Sequence, residues 1–245
     1  MKLAVHVTGT GPRTAVLVHG IMSDHRVWHR VSDELVEQGF RIIAVDLAGH
    51  GGSPRSRRYS PKAWADDVVE TLQPMLTRRP DLIMGHSLGA LVASMVGDRL
   101  APRAAVYVDP AFAFPGGLRG IVMKLLIAVA PRPPRYALVR WNPQWSAADV
   151  DIELATLRKW DKRTILGLAS TRGLVPPARL VAPSLVVLAE KSLLITDAVA
   201  ARLRGQGMTV ETILGSGHNV FRDQHARFMD VVDRWLASVA PLPAR

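Results

Sequence analysis

The chain of 245 residues contains no cysteine. That excludes a disulfide framework, a thiolate metal site and a thiol nucleophile, so any covalent chemistry must use another side chain. Aromatic residues amount to 6% and do not alternate with the arginines, as a stacking platform for single-stranded nucleic acid requires. Lysine is scarce, six of the 31 basic residues. The arginines run from Arg13 to Arg245 with short pairs, Arg57-Arg58 and Arg78-Arg79, and no long run. Subtracting 21 acidic from 31 basic residues leaves +10, but this excess lacks the concentrated footprint of a nucleic-acid binder. Long apolar stretches are also missing. Ile121 to Ala130 is interrupted by Lys124, whereas a membrane span needs about 20 apolar residues. The first residues, Met1 to Val7, alternate like a strand and lack the apolar block of a signal peptide. The expectation is a cytoplasmic protein with no membrane span and no nucleic-acid partner.

Hydrophobic residues make up 48% and charged residues 21%, enough apolar material to bury a core in one large domain. In chain order, apolar strand-like runs alternate with helical patterns. The runs are Ala15 to Val18, Arg41 to Val45, Leu82 to Met84, Ala104 to Val108, Leu185 to Leu188 and Val210 to Leu214. Between them lie helical patterns at Val27 to Gln38, Pro61 to Leu76, Leu88 to Leu100, Asp197 to Arg204 and Asp223 to Val239. Strands that are apolar throughout and separated by helices predict a mostly parallel sheet covered on both faces, an α/β fold. The alternation stops between Pro110 and Pro183. That stretch predicts a helical insertion, with Ser146 and Asp149 spaced as a capping box for a helix from Ala147 to Trp160.

Gly85-His86-Ser87-Leu88-Gly89 stands between a buried strand and a helix. A strand-to-helix turn this tight leaves no room for a Cβ two residues before or after the serine, and it lifts the hydroxyl above the sheet edge. The Leu88 N–H falls at a helix N-terminus, where negative charge is stabilised. Of the eight histidines, only His218 in Gly215-Ser216-Gly217-His218-Asn219 lies on a short loop after a C-terminal strand. From there an imidazole can reach a serine as general base.

Together with His19-Gly20 and Asp46-Leu47-Ala48-Gly49-His50-Gly51-Gly52-Ser53, these motifs resemble the α/β-hydrolase superfamily, in its order and over the whole chain except the insertion. The resemblance implies a core of residues 1–110 and 183–245, and a helical cap of residues 111–182 inserted after the sixth strand. It implies an oxyanion hole from the N–H groups of Ile21 and Leu88. It also implies a Ser87–acid–His218 triad.

The acid departs from the family's pattern, which has an aspartate where this chain has Ser192. Three substitutes stand open. Asp109 ends the strand Ala104 to Val108 and preserves the order nucleophile, acid, base. Glu190 lies two residues before Ser192, and Asp197 follows Thr196 at a helix start. Asp46, which also ends a strand, precedes a glycine-rich turn and reads as bonding that turn's N–H groups.

The leading expectation is a serine hydrolase acting, without a metal or cofactor, on a carboxylic ester or lactone of an apolar small molecule through an acyl-enzyme. A thioesterase of a natural-product pathway, a cofactor-free lyase or cyclase, and a non-catalytic ligand-binding protein stand as alternatives on the same scaffold.

Overall fold

The computed structural model describes residues 1–112, 131–168 and 182–239. The predicted run Ile121 to Ala130 lies outside the described residues. Seven strands form one sheet: β1 (Val5–Thr8), β2 (Arg13–Val18), β3 (Phe40–Val45), β4 (Leu82–His86), β5 (Ala105–Val108), β6 (Ser184–Ala189) and β7 (Thr209–Ile213). Their spatial order is β1-β3-β2-β4-β5-β6-β7. Only β1 is antiparallel, pairing Val5 with Val45 of β3; every other neighbour is parallel.

Side chains along a strand alternate between faces, and that period divides the core in two. Val16, Val18, Ile43, Val45, Ile83 and Tyr107 point to one face. It is covered by α2 (Pro61–Leu72), α3 (Leu88–Leu100) and α7 (Asp197–Gly205) through residues such as Trp64, Leu91 and Leu203. Ala15, Leu17, Ile42, Met84, Val106 and Val187 point to the other. There α1 (His29–Glu37), α8 (Val220–Asp223) and α9 (His225–Val239) bring Val31, Leu35, Phe221, Phe228 and Val232. Burial on both faces is why the central strands carry no polar alternation.

Between β5 and β6 the described residues form α4 (Arg135–Trp141), α5 (Ala147–Lys159) and α6 (Thr164–Gly167). Among the described residues five strands precede them rather than the expected six, the run up to Val18 supplying two, β1 and β2. Ser146 and Asp149 form the capping box at the start of α5. These helices are tied to the loops above the strand ends. Asp161 N–H donates to Gly49 O at 2.7 Å, Tyr59 Oη donates to Asp161 at 2.9 Å, and His29 Nε2 lies 3.0 Å from Asp149.

Candidate active site

The turn from β4 into α3 holds Ser87 at φ +52°, ψ −116°, a conformation that L residues keep only when the surroundings enforce it. Ser87 N–H donates to Val108 O at 2.9 Å, while Ser87 O accepts from Ala90 and Ala111 at 3.1 and 3.0 Å. Both flanking glycines are sterically required. A Cβ on Gly85 would sit 2.4 Å from Gly89 O, and one on Gly89 would sit 2.1 Å from Val18 O.

Asp109 directly follows β5 at φ +36°, with its own N–H donating to Val187 O at 2.8 Å. Its carboxylate is fully buried. Oδ1 accepts the Ala189 N–H at 3.3 Å, and Oδ2 lies 2.6 Å from His218 Nδ1. A carboxylate can only accept in that contact, so Nδ1 carries the proton and the Nε2 lone pair is left for a base. Glu190, weighed as a substitute acid, is exposed and accepts the Gly215 N–H at 2.9 Å. Asp197 starts α7 behind the Thr196 cap. Neither is hydrogen-bonded to His218. Ser192 Oγ instead accepts the N–H groups of Leu194 and Ile195 at 3.2 and 3.0 Å.

Ser87, His218, Ile21 and Leu88 border one cavity of about 290 Å³, together with Met22, Leu168 and Leu193 among others. Among the described residues, the N–H groups of Ile21 and Leu88 have no hydrogen-bond acceptor, and Ser87 Oγ has no hydrogen bond to His218. Catalytic hydrogen bonds are often long before substrate arrives. Met22, at φ +65°, turns the loop that follows His19-Gly20. A second cavity of about 460 Å³ adjoins the first, sharing Met22 and Glu153 and reaching Arg132, Trp141 and Trp160.

His19 is buried and holds its loop. Its Nδ1 lies 2.6 Å from Gly20 O and its Nε2 accepts the Leu47 N–H at 2.9 Å, so one tautomer is fixed. Burial lowers its pKa, and pushes that of His50 down to about 3. Asp46 likewise serves its turn, accepting the N–H groups of Gly52 and His25, both at 2.8 Å.

His86, next to Ser87 in the turn from β4 into α3, reaches His218. Its Nε2 donates to His218 O at 2.9 Å and its ring lies 4.6 Å from that of His218. Burial, reinforced by His218, holds it well below the usual imidazole range and therefore neutral. The sequence also gives no sign that Arg222 pairs with Glu153, 69 positions away, at 2.8 Å. Trp145 Nε1 donates to Asp223, whose other oxygen accepts the Gly217 N–H at 2.7 Å. The residues on both sides of His218 are thereby tied to the insertion.

Among the described residues, no helix is long and apolar enough to cross a membrane. Lipase LipV of Mycobacterium tuberculosis is 34% identical over 125 residues, 48% of this chain and 45% of the lipase. The esterase EaEST from Exiguobacterium antarcticum matches with a TM-score of 0.79 at 17% identity, over 96% of this chain and 95% of that one. The thioesterase domain from the curacin biosynthetic pathway matches with a TM-score of 0.72 at 20% identity, over 95% of each chain. Such distant likeness establishes the fold and leaves the reaction to the site. The model of the alpha/beta hydrolase family, however, matches residues 15–231, nearly the whole sheet with every motif described above, and the chain belongs to that family.

Proposed function

We propose that the protein hydrolyses a carboxylic ester of a largely apolar small molecule through an acyl-enzyme on Ser87. The observation that carries this reading is the 2.6 Å contact of His218 Nδ1 with buried Asp109, at the rim of the cavity that also holds Ser87. His218 Nε2 takes the Ser87 proton as Oγ attacks the carbonyl carbon. The N–H groups of Ile21 and Leu88 hold the oxyanion, each donor typically worth about 10²–10³ in rate. As the tetrahedral intermediate collapses, the leaving alkoxide receives the proton from His218. Water then gives its proton to His218 and attacks the acyl carbon, which releases the acid and restores Ser87. Asp109 stays ionised and steadies the imidazolium in both halves.

The helices of residues 131–168 act in this reading as a cap. What supports it is that Glu153, Ile165 and Leu168 share the cavity wall with Ser87. The wall is mostly aliphatic, which favours an apolar acyl or alcohol group.

A fluorophosphonate probe tests the nucleophile. Folded protein should acquire one adduct on Ser87, and Ser87→Ala should acquire none. Absence of the adduct on the unaltered protein would remove the covalent mechanism. Paired oxygen-ester and thioester substrates then separate an esterase from a thioesterase.

A further inference from the structure

The chain as a whole is basic, yet the wall of the Ser87 cavity presents a carboxylate. Glu153 of α5 lines that cavity beside His218 and Asn219, and it also borders the adjoining one. Its Oε2 accepts from Arg222 Nη1 at 2.8 Å. Its Oε1 has no hydrogen-bond partner among the described residues and remains accessible.

The cation that balances it is withheld from the cavity. Arg222 is 2% exposed, and its Nε and Nη2 are buried without a hydrogen bond. The guanidinium stacks over Trp145 at 4.7 Å, with Nε 3.5 Å from Asp149 Oδ1. Asp149 is fully buried and also lies 3.0 Å from His29 Nε2. One guanidinium thus faces two carboxylates, Asp149 and Glu153, and Asp223 lies beside it in the chain. A ligand in the Ser87 cavity therefore meets a carboxylate held in place from behind, and among the described residues no lysine or arginine lines that cavity, Arg132 and Lys162 lining only the adjoining one. Arginine in this arrangement fixes the carboxylate rather than receiving an anion.

We infer that Glu153 is a specificity-determining residue whose Oε1 accepts a hydrogen bond from a donor on the substrate, an ammonium above all and a hydroxyl less strongly. The site then selects esters whose apolar chain ends in such a donor and disfavours those ending in a carboxylate. This inference rests on the ester-hydrolase reading of the same cavity.

The test follows acid release from four methyl esters of matched length: methyl 6-aminohexanoate, methyl 6-hydroxyhexanoate, methyl heptanoate and monomethyl adipate. A charge-assisted hydrogen bond raises kcat/KM for the ammonium ester over methyl heptanoate by about 10- to 100-fold. The hydroxyl ester falls between them, and monomethyl adipate falls below methyl heptanoate. In Glu153→Gln the ratio of ammonium ester to methyl heptanoate drops toward one. A ratio near one in the unaltered protein, or one that survives Glu153→Gln, overturns the inference.

A binding arm needs neither turnover nor the variant. Calorimetry on the unaltered protein compares n-hexylammonium with 1-methoxyhexane, which has no donor. At least tenfold tighter binding of the ammonium supports the role of Glu153, and equal affinity overturns it. Preference for the ammonium with no turnover of any ester would refute ester hydrolysis while leaving the Glu153 recognition standing.

Discussion

Replacing Asp109 by asparagine tests the proposed triad at its least conventional member. The carboxylate is fully buried between two donors, Ala189 N–H at 3.3 Å on Oδ1 and His218 Nδ1 at 2.6 Å on Oδ2. Asparagine fits the same space, but the Ala189 N–H requires an oxygen on its side, which turns the amide NH₂ toward His218. Nδ1 must then accept, the proton moves to Nε2, and the lone pair meant for Ser87 is lost. The ionised partner of the developing imidazolium is lost as well. Two unit charges about 3.5 Å apart at an effective dielectric of about 20 interact by about 5 kcal/mol. At about 1.36 kcal/mol per decade that is a loss of about 10³–10⁴ in turnover, the scale seen when serine proteases lose their acid. The assay is kcat/KM on p-nitrophenyl acetate, with thermal unfolding to show that Asp109→Asn is folded. Glu190→Gln should stay within about threefold of the unaltered protein, since among the described residues its carboxylate bonds only the Gly215 N–H. A folded Asp109→Asn that keeps a tenth or more of the activity, or a larger loss in Glu190→Gln, would refute the assignment.

Acid should destabilise the fold well before the carboxylates titrate. His50 and His86 are buried with lowered pKa values, His50 at about 3. The unfolded chain takes up their protons below about 6.5 and the native state does not, so this stability is present above about 6.5 and lost as pH falls. At pH 5 His50 costs about 2 kcal/mol relative to pH 7.5, and His86 and His19 act in the same direction. Guanidinium unfolding at the two pH values checks this, and an equal or higher midpoint at pH 5 would contradict it. Gly89→Ala should lose most of its folded yield and all Ser87 labelling, because the new Cβ would lie 2.1 Å from Val18 O. A soluble variant that still labels would show that the elbow can relax. Ala101, exposed at φ +46° after α3, should be improved by glycine, and Ala101→Gly should gain about 0.5–1 kcal/mol in chemical denaturation. A loss would mean that the left-handed turn carries no strain.

The fold was legible because its signals are local. Val16 to Val18 and Ile83 to Met84 are apolar throughout because both faces of a parallel sheet are covered, and the Ser146/Asp149 box marks the start of α5 on its own. The elbow was legible because steric need writes glycine at positions 85 and 89. Contacts that join distant segments leave no such trace. His86 holds the His218 carbonyl across 132 positions and Arg222 meets Glu153 across 69, and neither spacing follows from any period or cap. Element ends shifted by a few residues where helices tighten, as at Gln73–Met75 after α2.

In the proposed triad the acid stands at a different position from the family's pattern while its geometry stays. Strands β5 and β6 are parallel neighbours with Val108 beside Val187, so their C-terminal ends open side by side under the loop that carries His218. An aspartate one residue beyond β5 is anchored to β6 twice, by its own N–H on Val187 O and by the Ala189 N–H on its Oδ1. It therefore reaches the same imidazole that an acid after β6 would serve. Once it does, the position after β6 needs no charge, and Ser192 is used locally, its hydroxyl closing the turn at Leu194 and Ile195. A second aspartate there would bring two carboxylates to one imidazole, and burying the unpaired one would be strongly unfavourable. Serine at position 192 and aspartate at position 109 are thus two halves of one arrangement, in which the neighbouring strand supplies the charge and the vacated position keeps only a hydrogen bond.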